Sequence, residues 1–157
     1  MNSSIKYEER QSLLSNPILW VVFAFSIVML SFGFSKEPNG FQLNQAIYPF
    51  CIVFIGFGWI AFLQLTTEID AKGIRFRFKY LPFAHNDFKW EEVKMVRVIT
   101  YNPWFTGFGL RLFTQWGTVY NTKGRRGLQI ILNNGKAYMV GTQRAEDMQT
   151  VLKELDK

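Results

Sequence analysis

Two uninterrupted apolar runs dominate the first 65 residues. Pro17 to Phe34 (PILWVVFAFSIVMLSFGF) and Ala46 to Leu65 (AIYPFCIVFIGFGWIAFLQL) carry no charged side chain. As helices they extend roughly 27 and 30 Å at ~1.5 Å per residue, close to a hydrocarbon core of about 30 Å. Strands seldom exceed about ten residues. The pattern therefore predicts a transmembrane helical hairpin with spans 17–34 and 46–65, and Trp20, Tyr48 and Trp59 fall toward the run ends, where amphipathic rings suit headgroups. The connector Ser35 to Gln45 holds the turn signal Pro38-Asn39-Gly40 and is short enough to return the helices antiparallel. A cleaved signal peptide fits less well, because the first run is too long and its flank SSIKYEERQ is charge-balanced.

After Leu65 the period changes to two. Ala71-Lys72-Gly73 reads as a turn, and Ile74 to Tyr80 alternates apolar with basic side chains, the mark of a half-buried strand. Further strands are predicted from Trp90 to about Tyr101, over Gly107 to Trp116, and over Gly117 to Asn121. Leu128 to Leu132 and Lys136 to Val140 flank Asn133-Asn134-Gly135, and Asn-Gly points to a type I′ hairpin. Thr142 is the predicted N-cap of a closing helix, QRAEDMQTVLKEL, which puts Ala145, Met148, Val151 or Leu152, and Leu155 on one face. Three segments follow: an arm over 1–16, the hairpin over 17–65 and a mostly β domain over 66–157.

Charge then sharpens the picture. Lys6, Arg10 and Lys36 balance Glu8, Glu9 and Glu37 in residues 1–65, so the whole formal charge of +6 sits in residues 66–157. With Lys6, Arg10 and Lys72 near the spans on one side against Lys36 on the other, the positive-inside tendency predicts a multi-pass cell-membrane protein with both termini cytoplasmic. Its single cysteine, Cys51, excludes an intramolecular disulfide framework and a cysteine-based zinc site. Gly56 and Gly58 would permit close helix approach within the hairpin.

Few residues carry chemistry. His85 is the only histidine, lies in the loop-like Phe83 to Asp87, and reads as a surface residue. Glu91 and Glu92 are adjacent, so on a strand they point to opposite faces and do not form an acid–base pair. No phosphate-binding glycine fingerprint follows a strand, and no cofactor or metal is expected. Anion binding is the stronger idea. Lys123, Arg125 and Arg126 converge in the glycine-flanked stretch Lys123 to Gly127. Arg75, Arg77 and Lys79 form a second cationic stripe, for which pairing with Glu68 and Asp70 is the plain alternative. The aromatic loop with Tyr101, Trp104 and Phe105 is a candidate partner contact, or core. Nucleic acid is disfavoured, because no reading helix accompanies the charge.

Several short stretches, Ile74-Arg75-Phe76, Trp90-Glu91-Glu92-Val93, Tyr101-Asn102-Pro103, Tyr120-Asn121-Thr122-Lys123-Gly124 and the ending Gly141-Thr142-Gln143-Arg144 with its helix, follow the two apolar runs in order. In this the chain resembles bacterial membrane proteins that bear a pleckstrin-homology-like (PH-like) domain behind two N-terminal transmembrane helices. The resemblance implies a bacterial inner-membrane location and a curved antiparallel sheet or open barrel of six to seven strands plugged by a C-terminal helix. It also implies a binding or assembly module and no enzyme. The expected function is engagement of anionic lipid headgroups or a partner protein at the cytoplasmic face. The alternative is a protein-assembly scaffold acting through its sheet edge or aromatic loop, with the basic residues serving topology and solubility only.

Overall fold

The computed structural model describes residues 6–35, 43–102 and 109–157, with side chains over 6–32, 47–102 and 109–157. Its strands form two sheets. In the first, β1 (Tyr7–Ser12), β2 (Gln64–Ile69), β3 (Gly73–Lys79) and β4 (His85–Lys89) lie in that order, each antiparallel to the next. The second runs β5-β8-β9-β7-β6, from β5 (Val93–Thr100), β6 (Gly109–Thr114), β7 (Gly117–Asn121), β8 (Arg126–Leu132) and β9 (Ala137–Thr142). β7 and β9 pair parallel, and the other pairs are antiparallel.

Alternation determines what each strand buries. On β3, Ile74, Phe76 and Phe78 point inward to meet Leu65, Ile69, Leu128, Ile130 and Val140. Phe76 packs edge-on against Tyr120 and Phe88 at 4.9 and 5.8 Å between ring centres. The closing helix α3 (Ala145–Glu154) adds Met148 and Leu152 to that core, as its periodicity predicts. The predicted N-cap is displaced: Arg144, not Thr142, holds that position and makes no side-chain cap bond, while the Thr142 hydroxyl accepts the Arg144 amide at 3.0 Å.

Two helices, α1 (Pro17–Ser35) and α2 (Leu43–Phe62), stand between the neighbouring strands β1 and β2. Aromatic contacts join them: Phe23 stacks on Phe57 at 4.1 Å, and Trp20 meets Phe57 at 5.1 Å. Glycines do not make this contact, since a Cβ added at Gly56 or Gly58 would meet nothing within 4 Å. Much of the pair's apolar surface is open, including Val21, Phe25, Phe32, Ile52, Ile55 and Phe62.

The structure corrects several expectations. Among the described residues no helix is long and apolar enough to cross a membrane. The second apolar run shows part of the reason: α2 ends at Phe62, and the run's last residues turn into β2. Only 46–62 of that run is helical, roughly 25 Å at ~1.5 Å per residue, and Pro49 lies within it. This overturns the two-span transmembrane hairpin, the integral attachment to a membrane, and the multi-pass inner-membrane location with both termini cytoplasmic. The expected single curved sheet or barrel of six to seven strands gives way to two sheets that do not close. One added strand is β1, inside the stretch read as an arm. The Asn-Gly turn forms its hairpin, but only Gly135 has a positive φ, so it is not the type I′ turn, which needs two such residues.

Candidate functional site

Side chains that alternate with the core residues of the first sheet cover its outer face. The strand register arranges them in rows across the sheet. Glu8, Glu68, Arg75 and Asp87 form one row, and Arg10, Thr66, Arg77 and His85 form the next. Beyond it Gln64 stands opposite Lys79. Residues of this face, with Trp59 from α2 and Tyr80 from the β3–β4 turn, line a groove of about 870 Å³.

The rows differ in how their charges are used. Arg75 donates to Asp70 at 2.9 Å and to Glu68 at 3.3 Å, so it takes the cross-strand pairing expected as the plain alternative. Asp70 is fully buried, and its carboxylate also accepts the Lys72 and Gly73 amides at 2.7 and 3.0 Å. Burial pushes the Asp70 carboxyl up, but those amides and Arg75 outweigh it and hold the group below its ordinary value. Arg10 directs Nε and Nη2 at a single Glu8 oxygen at 2.7 Å. Arg77 and Lys79 form no ion pair among the described residues, and both are exposed.

Two further observations mark the Lys79 end. Tyr80 has φ 66°, a left-handed conformation uncommon for a bulky side chain, and residues held this way gather at binding sites. Its ring lies 5.0 Å from the Lys79 ammonium. His85, on the groove wall, contacts the Pro82 carbonyl through Nδ1 at 2.7 Å. Because a carbonyl can only accept, Nδ1 carries the hydrogen of this contact.

The second predicted cluster lies elsewhere. Arg126 is ion-paired with Glu146 of α3, while Lys123 and Arg125 form no ion pair among the described residues. Gly124 adopts φ 106° in this turn. Tyr101 is buried, its ring against Gly127 and its hydroxyl toward Gly141, where a Cβ on either glycine would lie within 3.2 Å. Trp104 and Phe105 lie outside the described residues.

The pattern of Ile74 to Tyr80 disclosed Arg77 and Lys79. It did not disclose Arg10, Thr66, His85, Trp59 or Tyr80. The signal for Arg10 is hidden because the inward residues of β1 include Glu9 and Gln11. Both are buried in a polar seam: Glu9 accepts from Tyr7 at 2.5 Å, Thr142 at 2.7 Å and the Gln143 amide at 2.8 Å, and Gln11 donates to the Gly141 carbonyl at 2.7 Å. A strand whose inner face is this polar does not alternate by hydropathy.

No family model, curated protein or solved structure matches the chain, so the resemblance to PH-like membrane proteins with two N-terminal spans loses both its anchor and its family support.

Proposed function

We propose that the protein is a non-enzymatic binding module whose first sheet offers its outer face to an anionic group, phosphate above all. The observation that carries this reading is a groove in which Arg77 and Lys79 lack carboxylate partners among the described residues while Arg75 beside them is paired with Glu68 and Asp70. Guanidinium forks match phosphate geometry, and exposed cations without partners remain available to a ligand. A phospholipid headgroup and a soluble phosphate compound present the same chemistry, so the test must separate them. Full-length protein is titrated with inorganic phosphate and, in parallel, with phosphatidylglycerol and phosphatidylcholine vesicles at low and high salt. Paired Arg77→Glu and Lys79→Glu substitutions should abolish the salt-sensitive part of binding in whichever arm shows it. Salt-sensitive binding that ignores this charge reversal sinks the reading.

A second reading, assembly through a sheet edge, draws on β6. This edge strand carries Leu112 and a nearly fully exposed Phe113, the latter at φ 58°. Exposed edges are templates for pairing with another chain. If that edge drives assembly, Phe113→Ser should reduce the sedimenting mass of the full chain, and the Arg77 and Lys79 reversals should leave it unchanged.

A further inference from the structure

We infer that the groove selects ligands with two linked phosphoryl groups over those with one, with Arg10 and Arg77 each taking one of them; this rests on the anion-binding reading above. Arg10, Thr66 and Arg77 stand on three adjacent strands in one row. At about 4.8 Å per strand the two arginines rise roughly 9.6 Å apart from the sheet, with the Thr66 hydroxyl between them. Glu8 draws Arg10 toward the neighbouring row through Nε and Nη2 and leaves its Nη1 edge open. A single phosphate that reached both arginines would have to pull Arg10 from Glu8. A diphosphate meets Arg77 with one end and the open Arg10 edge with the other, and the ion pair survives.

His85 extends the same row. It lies opposite Arg77 on β4, an edge strand paired only with β3. The charged groups around it are Arg77 across the strand, Arg75 and Lys79 diagonally on β3, and Asp87 and Lys89 along its own strand.

Calorimetric titration of the full chain with pyrophosphate and with orthophosphate tests this. Pyrophosphate should bind at least about tenfold more tightly, in line with an added charge-assisted contact. Arg10→Gln should erase that preference, and Arg77→Gln should weaken both at least about tenfold. Thermal melts of each variant separate lost binding from lost fold. Equal affinities for the two phosphates, or a preference that survives Arg10→Gln, would overturn the inference while leaving groove binding in place. Binding of neither phosphate, with vesicle binding indifferent to charge reversal, would overturn both.

Discussion

Asp70 shows how one side chain shapes the groove's charge. It closes the β2–β3 turn by accepting two amides, and its carbonyl accepts the Trp90 indole at 2.9 Å. Gly73 completes the turn, since a Cβ there would come within 2.0 Å of the Phe88 carbonyl oxygen. Because the folded protein holds the Asp70 carboxyl below its ordinary value, the stability it contributes is present above the unfolded carboxylate range, about 3.9. That stability is lost as pH falls through the lower folded value. Asp70→Asn should therefore cost about 1 to 3 kcal/mol at neutral pH, measured by urea denaturation, and the variant should lose less stability on acidification than the wild type. At this scale the sequence was half legible. Alternation placed Arg75, Arg77 and Lys79 on one face, but not which of them spends its charge on Glu68 and Asp70.

Among the elements, β1 has the least sequence signal and the most distant partners. Its inward side chains Tyr7, Glu9 and Gln11 reach Gly141, Thr142 and the Thr122 hydroxyl, the last donating to Gln11 at 2.5 Å. Asn16 adds a bond to the Thr122 carbonyl at 2.8 Å. Such contacts join residues more than a hundred positions apart, and a polar inner face carries no period to announce them. Where partners are local, as in the β8–β9 hairpin or α3, apolar period and turn residues sufficed. Buried polar networks depend on every member being satisfied. Glu9→Leu would take the acceptor from the Gln143 amide and leave the Tyr7 and Thr142 hydroxyls to bond each other at 3.1 Å, and should cost about 2 to 5 kcal/mol at about 1 to 3 kcal/mol per unmet buried group, with partial compensation. Hydrogen exchange should show faster exchange of β1 and β9 amides in that variant, whereas Arg10→Ala on the outer face should leave them unchanged. Protection of β1 unaltered by Glu9→Leu would contradict this account of the seam. The helix pair teaches the complementary lesson: hydropathy located α1 and α2, but not the point where the second apolar run leaves its helix for β2.

For the whole molecule, three buried phenols link distant parts of the fold to alkaline pH. Tyr7 lies in the β1 seam, Tyr120 stacks on Phe78 in the main core, and Tyr101 lies with Val119 and Met139 in a smaller cluster of the second sheet. Burial raises all three hydroxyls above their ordinary value, and the neighbouring Glu9 carboxylate adds to the effect at Tyr7. The sign follows directly. A raised folded value contributes stability that is fully present below the unfolded tyrosine value, about 10, and is lost as pH rises above it. The protein should thus unfold at progressively lower urea concentration above about pH 10, with tyrosinate absorbance appearing together with loss of structure. The three sites differ in what their hydroxyls do. Tyr120 accepts from Asn86 at 2.7 Å and Tyr7 donates to Glu9, so Phe at either position breaks a bond. The Tyr101 hydroxyl has no hydrogen-bond partner among the described residues. Removing a buried polar group that makes no bond lifts a desolvation cost. Tyr101→Phe should accordingly leave neutral-pH stability unchanged or raised by up to about 1 kcal/mol, and should reduce the alkaline loss. Tyr120→Phe should reduce the alkaline loss too, but at the expense of stability at neutral pH. If Tyr101→Phe instead behaved like Tyr120→Phe at neutral pH, its hydroxyl would be bonded in solution, and the second cluster would hold a polar contact that its apolar neighbours Val119 and Met139 do not supply.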